Sequence, residues 1–239
     1  MFKKYANTIL LLMLGLPVAT ASATPGFNVD TLFKASDIDG NGYFTVSNHS
    51  GETLYLDSEI LKVEVVEHEL TKTLFDKDNF MLWDLSVSPT KAVLQPYESK
   101  EFSIKYLCER NCDRKKDLIY QVRFFPANDV ENADAQVVSF VFSMAPYYVI
   151  PSKDQKVDYT WNYNKAKRVI DIENTGNTFI KVELNQCDSQ VDKEKQCSFI
   201  YYVLSDRIKS IKLPEHFIAN QVQVKVANHD QSIQKAFFL

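Results

Sequence analysis

Leu118-Ile-Tyr-Gln-Val-Arg-Phe-Phe-Pro126 and Val137-Val-Ser-Phe-Val-Phe-Ser-Met-Ala-Pro-Tyr-Tyr-Val-Ile-Pro151 decide the fold. Both are runs of β-branched and aromatic residues that stop at a proline, which cannot continue a hydrogen-bonded ladder. Before them, Leu85 to Tyr106 reads as a turn at Ser88-Pro89, a short apolar touch, a second turn at Gln95-Pro96 and a strand. In that strand Phe102, Ile104 and Tyr106 alternate with Glu101, Ser103 and Lys105, the pattern of a sheet with one wet face. The run from Val137 is apolar on both faces, with the large groups Val138, Phe140, Phe142 and Met144 on one and Val137, Ser139, Val141 and Ser143 on the other.

The same punctuation extends in both directions. Upstream, Phe27 to Lys34 predicts a first strand, and Asp37-Ile-Asp-Gly-Asn-Gly42 a turn before Tyr43-Phe-Thr-Val-Ser-Asn48. The Asp/Gly run also resembles the start of a calcium loop, but position twelve is Asn48 instead of Glu and no helices flank it, so a glycine turn explains it more simply. Asn48-His-Ser50 matches a glycosylation sequon, which operates only in a eukaryotic host. Leu54 to Glu67 alternates imperfectly, and its β-branched residues weigh against a helix over Glu59 to Leu74. Trp83 and Leu85 are expected in the core of another strand.

After Pro151 the composition resets. Ser152 to Lys156 is polar and reads as a linker. Short strands are predicted at Val157–Tyr163, Arg168–Glu173, Phe179–Leu184, Phe199–Leu204 and Val222–Ala227, with Asn174-Thr-Gly-Asn177 as a turn. The expected fold is all-β, two immunoglobulin-like sandwiches. The expected organisation is a signal peptide over 1–23, a first domain over 24–151 and a second over 152–239.

Lys3, Lys4, the apolar run Ile9 to Leu16 and Ala21-Ser22-Ala23 have the order of a secretion signal, too short in its apolar part for a lasting membrane anchor. The product is expected to be exported and not inserted in a membrane. The formal net charge of −4 argues against a nucleic-acid partner. Four cysteines in an exported chain point to two disulfides, with local pairing of Cys108 with Cys112 and of Cys187 with Cys197 the simplest of three connectivities. Zinc is the rival reading, weakened by the lack of any Cys-x-x-Cys pair.

Several stretches resemble the periplasmic pilus-assembly chaperones of the chaperone–usher pathway. Phe44-Thr-Val-Ser-Asn48 is similar to an early strand of that family. Ser88-Pro89 with Leu94-Gln-Pro-Tyr-Glu98, Tyr120 to Pro126, Val149-Ile-Pro151 and Ile170-Asp-Ile-Glu-Asn-Thr-Gly-Asn177 follow in the family's order. The resemblance implies a binding protein whose clients are pilin subunits and which delivers them to an outer-membrane usher in the periplasm. It implies that the last strand of the first domain is lent to an incomplete subunit, with Val138, Phe140, Phe142 and Met144 facing the client. It also implies a basic cleft that holds the subunit's terminal carboxylate. The family's usual basic positions are here occupied by Ser143-Met-Ala-Pro146 and Ile150, which leaves Lys34 and Arg123 as the candidate anchors.

Catalysis finds little support in the residues. His49, His68, His216 and His229 belong to no metal-binding pattern, and neither a nucleophile elbow nor a phosphate loop occurs. Glu67-His68-Glu69 reads as a solvated turn before it reads as a metal cluster. No enzyme activity, cofactor or metal is expected. The alternative is a structural or adhesive pilus component, which would need its own N-terminal extension of alternating apolar residues. Thr24 to Asp30 is short for one.

Overall fold

The computed structural model describes residues 26–108, 114–127, 142–187 and 196–239. The leader lies outside them, as do Val138, Phe140 and Cys112. Strands run through Phe27–Val29 (β1), Phe33–Ala35 (β2), Gly42–Asn48 (β3), Leu54–Val66 (β4) and Glu69–Leu74 (β5). They continue with Leu85–Ser88 (β6), Lys91–Leu94 (β7), Ser99–Tyr106 (β8), Leu118–Pro126 (β9) and Tyr147–Ile150 (β10). These build a first sandwich of two sheets, β1-β3-β8-β6 against β2-β10-β9-β4-β5, with β7 paired to the start of β4. The chain is all-β, as expected, and among the described residues no helix is long and apolar enough to cross a membrane.

Alternation explains the core. Phe44, Phe102, Phe124 and Tyr148 are fully buried and meet edge to face, with Phe102 and Phe124 centred 4.9 Å apart. The single strand expected over Phe27–Lys34 is two strands in different sheets: β1 pairs antiparallel with β3, and β2 parallel with β10. Asp30 sits at the switch, where its carboxylate accepts the backbone N–H of Thr45. Gly40 supplies the turn expected from the Asp/Gly run, with φ +89° and Tyr106 packed where a Cβ would stand. Asp37 accepts the N–H groups of Asp39 and Asn41 there. Trp83 does not enter the core; it follows a 3-10 turn, is 41% exposed and stacks on Phe75. Asn48 is buried at the end of β3. Its amide donates to the carbonyls of Glu52, Leu94 and Gln95, and its oxygen accepts from Ser50.

The second sandwich holds Tyr159–Asn164 (β11), Val169–Asn174 (β12), Ile180–Asn185 (β13), Ser198–Val203 (β14), Ile208–Lys212 (β15), Gln223–Ala227 (β16) and Gln234–Phe238 (β17). Its sheets are β11-β12-β15 and β14-β13-β16-β17. β15 and β17 were not foreseen as strands. Both are edge strands carrying Lys209, Lys212 and Lys235, and charge on an edge hides the apolar signal. Trp161 stacks on Phe237 across the two sheets, 4.2 Å between ring centres. Asn174 ends β12 as Asn48 ends β3, buried and donating to the carbonyls of Thr178 and Val203. Cys187 and Cys197 are joined by a disulfide.

Candidate functional site

The two sandwiches meet along one side of β9 and β10. Val63, Ile119 and Val149 of the first pack against Phe179 and Leu204 of the second in a separate apolar cluster. Beside it Asp117, on the residue that leads into β9, is almost wholly buried. Its carboxylate accepts the N–H of Ser152 at 2.8 Å, the N–H of Phe179 at 2.6 Å and the Thr178 hydroxyl at 3.2 Å. One side chain thus ties the first sandwich, the linker and the second sandwich. Burial pushes the Asp117 carboxyl above its ordinary value; the three hydrogen bonds and the charge of His229 pull the other way. Asn177 reinforces the joint, donating to the carbonyls of Lys115 and Asp154. Gly176 lets the linker lie against this turn, since a Cβ there would sit 2.2 Å from the carbonyl oxygen of Lys156.

On one side of this joint opens a cleft cavity of about 430 Å³. Thr31, Phe33 and Tyr147 line it from the first sandwich, and Ile200, Tyr202 and Lys209 from the second. Phe33 stacks flat on Tyr202, ring centres 4.0 Å apart, and meets Phe179 edge-on. Arg207 also lines the cavity. Its guanidinium donates to the carbonyl of His68 and to Glu69 at 2.9 Å. Glu67 and His68 form the tight turn between β4 and β5, both with positive φ, and the Nδ1 of His68 lies 2.8 Å from the carbonyl oxygen of Asp206. Lys116 pairs with the Asp206 carboxylate.

The two basic residues singled out by the sequence do not line this cavity. Lys34 shares its row of the sheet with Tyr148, on the opposite side of β2 from Phe33. Its ammonium donates to Asp30 at 2.7 Å and to the carbonyl of Tyr43 at 2.6 Å, over the rings of Tyr43 and Phe44. Arg123 forms an ion pair with Glu59. The cations of the cavity, Arg207 and Lys209, come instead from the second sandwich, where a lysine-bearing edge gives no signal of a site.

Of the four large residues expected to face a client, Phe142 and Met144 are described. Phe142 is 45% exposed. Met144 exchanges both backbone hydrogen bonds with Phe124 and packs against the first core, so it faces inward at this point and not outward as its alternation suggested. The register with β9 is unbroken from Ile150 back to Met144, which puts Met144 on the side of Tyr148 and Ile150. On the other edge β2 covers only Tyr147, Tyr148 and Val149. Before Tyr147 that edge carries no paired strand among the described residues. Cys108 is disulfide-bonded, while its expected partner Cys112 lies outside the described residues.

The family model described as CS5 fimbrial protein N-terminal domain matches residues 29–151. The chain belongs to this family. A comparison with curated proteins gives no match. Among solved structures, a chain of the chaperone–tip adhesin complex of CFA/I fimbriae biogenesis is 18% identical, with 89% of this chain and 97% of that one covered and a TM-score of 0.51. The class 5 fimbriae chaperone CfaA is 17% identical over 89% of this chain and 98% of its own, TM-score 0.51. The Salmonella enterica complex of the SafA pilin with the SafB chaperone matches at 10% identity over 92% and 99%, TM-score 0.56. The CS5-family chain therefore has the two-sandwich fold of the fimbrial chaperones over nearly its whole described length.

Proposed function

We propose that this protein is a periplasmic chaperone that captures fimbrial subunits and passes them to an outer-membrane usher. The observation that supports it best is the open edge before Tyr147. Met144 directs both backbone bonds to Phe124, so the N–H and C=O of Ser143 point to the uncovered side. An extended edge next to exposed Phe142 is what strand donation requires: main-chain bonds give affinity and side chains fill the open groove of the subunit. Val138, Phe140 and Phe142 face the client, and Met144 marks where the lent strand re-enters its own sandwich. The subunit's terminal carboxylate is met in the cleft by Lys209, since Lys34, Arg123 and Arg207 are engaged by Asp30, Glu59 and Glu69. The work is strand exchange, with no cofactor and no bond broken. Export by the N-terminal leader brings the chain to its clients.

The test pairs a thermal melt with recovery of the tagged protein from periplasm and mass identification of what travels with it. Phe140→Ser with Phe142→Ser is expected to abolish recovery of a fimbrial subunit and leave the melt within a few degrees. Unfolding of the double variant would put both rings on the inward side with Met144 and remove the side-chain part of the reading. The family description favours one second reading, a structural component of the fibre. In that case the protein would be found in sheared surface fibres and not in the periplasm.

A further inference from the structure

Where the lent strand re-enters its own sandwich, the backbone groups point two ways. Met144 and Pro146 direct theirs to β9. Met144 exchanges both bonds with Phe124, at 2.9 and 2.7 Å, and Pro146 accepts the N–H of Val122 at 3.0 Å. Ser143, Ala145, Tyr147 and Val149 therefore face the other edge. There the N–H of Tyr147 donates to the carbonyl of Leu32, and the carbonyl of Val149 accepts the N–H of Ser36. The next outward carbonyl upstream, that of Ala145, lies beyond the end of β2 and is taken by a side chain. The amide of Gln121, on β9 opposite Tyr147, donates to it at 2.9 Å. Past that bond, the N–H of Ala145 and both groups of Ser143 have no partner among the described residues.

Side-chain alternation alone leaves the position of a borrowing strand open. A slip of one residue turns every client-facing side chain to the wrong face, but a slip of two keeps each on its own. Main-chain bonds are alike at every step, so a uniform open edge would accept a subunit strand in several even registers. The Gln121 bond makes the edge non-uniform. It fills the next acceptor in line, and the group after that, the N–H of Tyr147, is closed by the backbone of Leu32. Across the sheet Gln121 stands between Leu61 and Tyr147, and its side chain bonds to neither. The amide serves the Ala145 carbonyl.

We infer that Gln121 is a positioning residue for strand lending. By occupying the Ala145 carbonyl it ends the lendable edge at the Ala145 N–H and selects one of the even registers. This rests on the reading that the edge before Tyr147 pairs with a subunit, and it names the group that fixes where along the edge that pairing stops.

The test uses the exported full chain carrying Ser143→Cys, paired with the fimbrial subunit recovered with it from periplasm, in which single cysteines are placed in turn. A disulfide forms only where the two Cα atoms come within about 7 Å, which separates one cross-strand partner from the next on the same face. With Gln121 in place, one subunit position should dominate, and the positions two residues to either side should react at least about fivefold less, the weight of roughly one hydrogen bond. Gln121→Leu should raise one of those two positions, and only one, by at least about fivefold, because the Leu32 bond stops any further slip. Gln121→Lys, which restores a donor of similar reach, should return the single position. A role in stability alone would move the thermal melt and leave this pattern as it was. An unchanged pattern in a folded Gln121→Leu variant, several even positions with Gln121 in place, or equal shifts in the Leu and Lys variants would overturn the proposal. So would failure of both variants to fold, since the bond would then be a requirement of the sandwich. Disulfides whose pattern is indifferent to Gln121 defeat this role and leave the chaperone reading intact. If the parent chain recovers no subunit, that reading falls and this proposal with it.

Discussion

The joint between the two sandwiches is built in two unlike ways. At its centre an apolar cluster and the buried carboxylate of Asp117 bind three parts of the chain at once. At its rim, the Glu67-His68 turn meets Asp206 and Arg207 through contacts that stay in water, with the Glu69 side chain 84% exposed. A carboxylate that satisfies buried N–H groups cannot be lost without leaving donors unpaired, whereas an exposed ion pair exchanges one partner for water at little cost. The difference predicts that the centre fixes the angle of the cleft and the rim only trims it.

The largest effect should come from Asp117→Ala, which orphans the N–H groups of Ser152 and Phe179. It should cost about 3–5 kcal/mol, read by denaturant unfolding, and broaden the distribution of distances between spin labels placed on the two sandwiches. A variant with wild-type stability and an unchanged distance would erase the contrast.

A smaller effect concerns acid. The native Asp117 carboxyl sits above its ordinary value because burial outweighs its hydrogen bonds. As pH falls, the native state therefore takes up this proton before the unfolded chain does. The group's contribution to stability is full below the unfolded value and is lost as pH rises through the native one. Asp117→Asn should remove that slope, so the melting difference between parent and variant should change as pH rises through and above the ordinary carboxylate range. Parallel melting curves across that window would show that the carboxylate's hydrogen bonds balance its burial.

The smallest effect belongs to the rim. Glu69→Ala should change stability by no more than about 0.5 kcal/mol and leave the label distance unaltered. A shift as large as that of the Asp117 variants would move the control of the cleft to the β4–β5 turn.

What the sequence disclosed depended on how local each signal was. The alternation around Phe102 and Ile104 and the run Leu118–Pro126 are self-contained, and β8 and β9 lie where they were expected. Asp117 gave no sign, because it follows Arg114-Lys115-Lys116 and reads as part of a solvated charged run; its partners lie 35 and 62 positions away. The split of the first strand was hidden for the same reason, since β1 and β2 owe their sheets to β3 and β10 and not to their own residues. Met144 shows the limit of alternation. Large and small side chains separate two faces, but only the register with Phe124 says which face is inward. In the cleft, aromatic Phe33 and Tyr147 were legible as strand residues, while the placing of Arg207 and Lys209 is a property of the assembled pair of sandwiches.

Asn48 bears on how the protein can be made. Its amide is sealed beneath the loop it pins, so the folded chain offers no nitrogen to an oligosaccharide transferase. Transfer to a nascent chain in a eukaryotic secretory host would occur before that loop closes. The sugar would then occupy the place of the carbonyls of Glu52, Leu94 and Gln95, and the first sandwich could not shut around it. Bacterial export, or Asn48 protected by Ser50→Ala in a eukaryotic host, keeps this corner available to the backbone groups it was folded to receive.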